Sequence, residues 1–192
     1  GLRAEDMPCF EDYIVDIYEE LYSDPNAEIL FEGAQGFGLD IDHGDYPYVT
    51  SSHCTTAAAL LNGVPPQAVR NVWGVAKIYE TYVGAKSFQP HDSIFDALQE
   101  IGEEFGATTG RKRQCNWADL DTLLKAVRMN GVTDLVFNKM DVLREVGEWK
   151  FYNKGKVIQL EDEQEVKSWL TSFFANSPTV SNVYFSGNKD RI

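Results

Sequence analysis

Three times this chain runs a short apolar, β-prone segment straight into a polar or glycine-rich loop: "EILF" into "EGAQG", "DLVF" into "NKMD", and "NVYF" into "SGNKD". Amphipathic runs of helical spacing lie between them. Alternating strands and helices of this kind predict an α/β fold with a mostly parallel sheet flanked by helices. In such sheets ligands gather outside the carboxyl ends of the strands, where these three loops would stand.

The helical runs are legible one by one. Residues 7–22 place Phe10, Tyr13, Ile14, Ile17, Tyr18 and Leu21 on one face, with an acidic outer face, and Pro25 ends the run. "CTTAAALLNG" predicts a helix stopping at Gly63, and "SIFDALQEIGEEF" one closed by Gly106. "ADLDTLLKAVRMNG" aligns Leu120, Leu123, Leu124 and Val127 and stops at Gly131. Val166, Trp169, Leu170 and Phe173 mark a last helix. "NVWGVAKIYETYV" predicts a strand from about Val72, and "EWKFYNKGKVIQL" a hairpin turning at Asn153-Lys154-Gly155.

Charge narrows the partners. With 17 Lys+Arg against 30 Asp+Glu, a formal net charge of −13, the surface repels nucleic acid and anionic membranes. A small anion held in one locally basic pocket is still allowed. No apolar run reaches the roughly 18–20 residues that cross a bilayer, and no signal segment is visible. Cys9, Cys54 and Cys115 have no metal-ligand spacing and read as unpaired thiols, which together predicts a reducing cytoplasm. The chain opens on Gly1-Leu2-Arg3 and not on Met, which predicts a processed or partial polypeptide.

Three stretches carry chemistry. In "FNKMD" an Asn-Lys-x-Asp follows a strand. The Asp141 carboxylate can accept from the N1–H and 2-amino group of guanine, a donor pair adenine lacks. Asn138 would frame the purine edge and the Lys139 stem would lie along its plane; the alternative is a strand-end turn with Asp141 as a helix cap. In "GATTGRKR", Gly106 and Gly110 let the backbone expose N–H groups while Thr108 and Thr109 add hydroxyls. Arg111 and Arg113, two apart, share a side when extended and could grip a carboxylate or phosphate, with Lys112 opposite; the alternative is a solvated basic loop. "EGAQGFGLDIDHGDYPYVTSS" is glycine-rich and ends in Thr50-Ser51-Ser52, hydroxyl donors for a phosphate at a helix N-terminus. Asp40, Asp42 and His43 there serve either turn chemistry or a metal, while His53 and His91 read as surface or packing residues. No G-x-x-x-x-G-K-[ST] occurs, and no Ser/His or Cys/His catalytic pattern stands out.

From Ile29 to Leu143 the chain resembles the adenylosuccinate synthetase family. The shared blocks are "FEGAQG..LDIDHG.YPYVTSS", "EFGATTGR.R" with a Trp shortly after, and "NKMDVL" beside the family's "TKLDVL". The resemblance implies a P-loop NTPase-like sheet whose phosphate-loop part is not among residues 1–192, which form the C-terminal portion of a single domain. It implies a two-step ligase reaction: GTP phosphorylates the 6-oxygen of inosine monophosphate, and the α-amine of L-aspartate then displaces phosphate, with Mg²⁺ at the transferring group. Gln35 would contact the purine monophosphate and Thr50 its 5′-phosphate. Ala107, Thr108, Thr109, Gly110, Arg111 and Arg113 would bind aspartate, with Arg111 also reaching the monophosphate and Arg113 also reaching GTP. Asn138, Lys139, Met140 and Asp141 would hold the guanine of GTP, joined by Ser186 and Gly187 from a loose match to the family's "S-x-G-P-D-R".

The chain departs from the family in ways that matter. The "GDEGKG" segment, the catalytic Asp and His and the Mg²⁺ ligands are expected outside it, so the chain alone is expected to be inactive. "RVGAGPFPTE" is replaced by "YVGAKSFQPHD", and "GPDR" by "GNKDR". Compact spacing resembles the archaeal or bacteriophage branch, part of which aminates a deoxyguanylate with ATP or GTP. A non-catalytic guanine-nucleotide-binding module is the alternative of a different class. The resemblance also implies a cytoplasmic homodimer.

Overall fold

The computed structural model describes residues 14–106 and 110–188. Helix α1 (Ile17–Tyr22) is capped by Asp16, whose carboxylate accepts from the Tyr18 and Glu19 amides. Helix α2 spans only Ala57–Leu61, followed by Gly63 at a φ of 90°. Strands β1 (Trp73–Lys77) and β2 (Tyr79–Tyr82), helix α3 (Ser93–Ile101), strand β3 (Gln114–Asp119) and helix α4 (Leu120–Asn130) come next. Strand β4 (Asp134–Asn138), helix α5 (Met140–Val146), the hairpin of β5 (Trp149–Asn153) and β6 (Lys156–Leu160), helix α6 (Glu163–Phe174) and strand β7 (Asn182–Phe185) complete the order.

Two sheets carry the fold. One is wholly parallel, in the order β1-β4-β7, with Trp73 opposite Asp134 and Asp134 opposite Asn182. The other runs β2-β3-β5-β6 and is mainly antiparallel, with a short parallel pairing of β3 to β5. The expectation of one mostly parallel sheet therefore holds for the first sheet and is corrected for the second. The reason lies at Ile78. Its amide donates to the Asn138 carbonyl at 3.0 Å, and the chain then leaves the first sheet for the second. The apolar run from Val72 to Val83 reads as one strand because both sheets need buried residues there: Ile78 and Tyr79 are almost wholly inaccessible.

The central position of β4 explains its composition. Leu135, Val136 and Phe137 are all buried, as a strand covered on both faces requires. Phe137 stacks on Phe185 with centroids 5.6 Å apart and meets Phe174 of α6 at 5.6 Å, so "DLVF", "NVYF" and the last helix share one core. α4 begins on the Asp119 carboxylate and ends at Gly131 with φ 62°, where a residue without a Cβ is favoured. The hairpin turns on Lys154 and Gly155, both at positive φ, as its sequence predicts.

Other expectations are corrected. "EILF" is not a strand; it has no regular structure, Leu30 is 89% exposed, and no strand pairs with it among the described residues. The helix expected to run to Gly106 stops at Ile101, with Gly102 as its cap. "QCNWAD" forms β3, with Gln114 and Asn116 alternating with the buried Cys115 and Trp117 as in a half-buried strand. Their side chains have partners nearby: Gln114 accepts from the Phe88 and Gln89 amides, and Asn116 donates to the Phe88 carbonyl. Ala118 and Asp119, assigned to a helix, are the end of β3, with Asp119 the cap of α4, which begins at Leu120. "MDVLREV" forms helix α5 directly after the "NK" turn. Of the N-terminal helix expected over residues 7–22 only Ile17–Tyr22 is helical: residues 14–16 are not, because Asp16 takes an extended backbone and caps the helix, and residues 7–13, with Cys9, lie outside the described residues. Cys54 and Cys115 are free thiols. No helix among the described residues is long and apolar enough to cross a membrane.

Candidate functional site

The parallel register brings the carboxyl ends of β1, β4 and β7 together, and with them Lys77, Asn138 and Ser186. Lys139 takes the left-handed conformation, φ 64°, and reverses the chain from β4 into α5. The Met140 amide donates to the Ser186 carbonyl at 3.1 Å, and the Ser186 amide donates to the Phe137 carbonyl at 2.8 Å. Gly187 lies so close to α5 that an added Cβ would stand 3.4 Å from the Asp141 nitrogen and 3.5 Å from Met140 Cβ. Asn138, Lys139, Met140, Asp141, Ser186 and Gly187 therefore form one surface, although 44 positions separate the two groups in sequence. Asp141 is exposed at the first turn of α5, and Met140 is buried beneath it. Asn138 Oδ1 is buried with no hydrogen-bond partner among the described residues, an acceptor left for another donor.

The basic loop reaches the same place. Lys139 Nζ donates to the Gly102 carbonyl at 2.9 Å, tying the "NKMD" turn to the segment that leads into the loop. That segment and the return from the loop pair locally: Phe105 bridges Lys112, the Arg113 amide donates to the Glu104 carbonyl, and the Gly106 amide donates to the Arg111 carbonyl. Gly110 closes the loop at φ 62°. Ala107, Thr108 and Thr109 lie outside the described residues. The expected division of the cations is visible in part. Lys112 reaches Glu100 at 3.3 Å on one side, while Arg113 turns inward to Glu104; Arg111 is exposed. His91, expected to be a surface or packing residue, shares the walls of an open cleft of about 350 Å³ with Asp96, Lys112 and Arg113.

Beneath the loop is a charged cluster that sequence reasoning missed. Glu104 is 1% exposed, and its carboxylate accepts from Lys77 Nζ at 2.7 Å, from Tyr79 Oη at 2.7 Å and from Arg113 Nη1 at 2.8 Å. Burial alone would raise its pKa, but the bonds from Lys77, Tyr79 and Arg113 outweigh that and hold it below the usual carboxylate range. Burial lowers the pKa of Lys77; Glu104 opposes the shift, and nearby Arg113 and Lys139 add to it. Tyr79 is pushed far above the ordinary phenol range by burial and by Glu104. Cys115, also buried, is pushed up to about 12, so its thiol stays protonated. A signal existed in the sequence: a lone Lys inside "WGVAKIY" needs a buried acid, and "EEFG" supplies one.

Gly102 is what lets this cluster close. A Cβ there would lie 2.5 Å from Tyr79 Oη, 2.8 Å from the Leu98 carbonyl oxygen and 3.2 Å from Glu104 Cγ. Gly102→Ala is therefore expected to destabilise the chain by about 2 kcal/mol, as overpacking of a rigid site does. Urea unfolding checks it, and an unchanged midpoint would show that the cluster has slack.

Gln35 and Thr50 stand in a different loop, whose hub is Asp40. This carboxylate is fully buried and accepts from the amides of Asp42 at 3.0 Å, His43 at 2.9 Å and Cys54 at 2.6 Å. Burial pulls its pKa upward, but these three bonds keep it below the ordinary value. Gln35 sits at φ 66° with its Oε1 4.0 Å from Cys54 Sγ; the Thr50 amide donates to the Leu39 carbonyl at 2.8 Å. Lys86 beside Asp45 ties the loop to the segment after β2. Of the two readings of Asp40, Asp42 and His43, turn chemistry is the one seen. His53 and not His43 approaches Asp42, at 3.4 Å, and both Asp40 oxygens are already committed to amides. Asp40, Asp42 and His53 nonetheless bring ligand-type atoms within 4.8 Å of one another.

A parallel sheet with a turn-and-helix loop, a buried ion cluster and a basic loop at its strand ends defines an α/β ligand-binding fold. Comparison with known proteins then narrows the class. The family model for adenylosuccinate synthetase matches residues 4–173, and this chain belongs to that family. It is 46% identical over 164 residues to the adenylosuccinate synthetase of Desulforapulum autotrophicum, covering 82% of this chain and 38% of that protein. It is 47% identical over 177 residues to that of Nitratidesulfovibrio vulgaris, covering 86% of this chain and 41% of that protein. The chain thus spans about two fifths of the length of these relatives. The fold is similar to the solved, fully ligated adenylosuccinate synthetase of Plasmodium falciparum, with a TM-score of 0.75 at 26% identity, covering 89% of this chain and 51% of that one.

Proposed function

We propose that this chain supplies the aspartate- and guanine-binding side of a purine-biosynthetic ligase that joins L-aspartate to the 6-position of inosine monophosphate at the expense of GTP. The observation that carries the reading is the bond from Lys139 to the Gly102 carbonyl, which sets the guanine-type loop against the root of the basic loop. Asp141 accepts from the guanine N1–H and 2-amino group, and Asn138 Oδ1 is a further acceptor beside it. The Lys139 stem underlies the base, with Ser186 and Gly187 closing its edge. Arg111, Arg113 and the loop of residues 107–110 grip the aspartate carboxylates, which leaves the α-amine free to attack C6. Gln35 and Thr50 serve the purine monophosphate and its phosphate.

Phosphorylation of the 6-oxygen turns a poor leaving group into a good one, and the amine then displaces phosphate. The catalytic Asp and His of this scheme, and the ligands of its Mg²⁺, belong to segments other than residues 1–192, and no step here runs through the metal. Homodimer formation and a cytoplasmic location are part of the same proposal. The complete gene product is expected to release phosphate from GTP only when both inosine monophosphate and L-aspartate are present. The isolated 192-residue chain is expected to give no turnover. Absence of aspartate-dependent GTP hydrolysis in the complete product would sink the ligase reading. Robust turnover by the chain alone would instead refute its dependence on outside catalytic groups.

A further inference from the structure

We infer that Glu104 is a positioning residue, which holds Lys77 beside Arg113 so that Lys77 becomes a further cation of the anion-binding set. The inference rests on the function proposed above and adds two residues to it. Lys77 stands at the carboxyl end of β1, opposite Asn138 in the parallel register, on the same surface as the "NKMD" turn. Its side chain keeps 24% of its accessibility, and that of Arg113 keeps 32%, while Glu104 between them keeps 1%. The carboxylate is thus a shared buried anchor with two partly open cations fixed to it. One oxygen bonds Tyr79 and Lys77, and the other bonds Lys77 and Arg113. Thr81 Oγ1 accepts a further Lys77 bond at 3.1 Å, which fixes the ammonium from the side of β2.

Charge explains why this pairing serves a ligand. The groups close enough to Lys77 to affect its charge are Glu104, Arg113 and Lys139, and Cys115 and Asp141 act on the neighbouring Tyr79. Two cations bond one buried carboxylate and Lys139 adds a third positive charge near Lys77, whereas an ion pair that only stabilised the fold would need one cation. The excess positive charge, in a chain of formal net charge −13, favours an anion with more than one negative group. A dicarboxylate meets that condition: one carboxylate can take the Arg113 fork and the other can lie toward Lys77.

The test is steady-state kinetics of the complete gene product bearing Glu104→Gln or Lys77→Met. Glu104→Gln is expected to raise KM for L-aspartate at least tenfold while changing kcat less than threefold. A residue that only holds the fold would lower the amount of active enzyme and leave KM alone. The pH profile gives a second readout. Without the carboxylate, Lys77 lies beside Arg113 and Lys139 uncompensated, its pKa falls further, and its charge is lost as pH rises. KM of the Glu104→Gln enzyme should therefore climb between pH 7 and 9 more steeply than that of the wild type, and the double variant with Lys77→Met should lose that slope. Should Glu104→Gln not fold, Lys77→Met carries the test, because it leaves the Glu104–Arg113 pair in place and should raise KM for aspartate by itself. Wild-type KM in either folded variant overturns the inference and leaves the ligase reading standing. A wild-type enzyme that makes no use of aspartate overturns both.

Discussion

The complete gene product bearing Asp141→Ala is expected to bind GTP roughly 100- to 1,000-fold more weakly, about 3–4 kcal/mol, with binding of inosine monophosphate unchanged. The carboxylate would lose two charge-assisted hydrogen bonds to the purine, and the N1–H and 2-amino donors would face no acceptor. Asp141 sits exposed on the first turn of α5, and Met140 beneath it is buried, so the substitution removes ligand contacts without opening the core. Asp141→Asn separates base reading from a general loss of affinity. Its amide presents a donor where the carboxylate accepted, which suits the 2-oxo group of xanthine and opposes the 2-amino group of guanine. A switch in preference toward xanthosine triphosphate, followed by calorimetric titration, is the expected result. Equal affinity of the alanine variant and the wild type for GTP would show that Asp141 only begins the helix.

The second large effect is expected at Asp40. Asp40→Ala should speed hydrogen exchange of the Asp42, His43 and Cys54 amides by about 100-fold, or about 2.7 kcal/mol of local opening, with less change in the global unfolding midpoint. The three amides lose their common acceptor, and most of the surrounding loop is exposed, so it can open without the core. Asp40→Asn should not rescue it. An amide oxygen can still accept from Asp42 and His43, but the amide nitrogen would face the Cys54 N–H, donor against donor. The pH dependence follows from the depressed native pKa. Protection is fully present above the unfolded carboxylate value of about 3.9 and is lost as pH falls through the lower native value. Because Gln35 and Thr50 ride on this loop, KM for the purine monophosphate should rise with it. If NMR-detected exchange at these three amides is unmoved in the alanine variant, Asp40 is not the hub of the loop.

The elements legible in the sequence are those whose local signals agree with their surroundings. α4 and α6 pair a carboxylate cap with apolar residues at helical spacing, and the β5–β6 turn has the residues its backbone requires. "DLVF" announces itself because a strand buried on both faces is apolar throughout, and "NVYF" through its β-branched and aromatic residues. The failures share a cause, which is that the deciding partner is distant in sequence. "EILF" has the composition of a buried strand but no partner strand among the described residues. β3 alternates polar and apolar over only four residues, and the partners of its Gln114 and Asn116 stand some 25 to 28 positions earlier, at Phe88 and Gln89. The break at Ile78 is invisible because both sides of it are buried, and only the register with β4 shows where one sheet stops.

The same division runs through the site. Short motifs already single out Asn138, Lys139 and Asp141 as candidates for base reading and Arg111 and Arg113 as candidates for gripping an anion, because side-chain type and spacing carry that information. For Glu104, Lys77 and Tyr79 the sequence offers only a lone Lys in an apolar run and an acid near the loop, with nothing that pairs them. Their meaning comes from a buried carboxylate meeting two cations and a phenol from separate elements, and burial is a property of packing, not of residue order. By itself the sequence determined which chemistry the loops offer and which helices and central strands form, since local pattern and capping decide those. Only the tertiary structure decided that the two loops share one surface, and that Arg113 is held by Glu104. Strand register and mutual burial set those relations, and both arise only when distant segments pack.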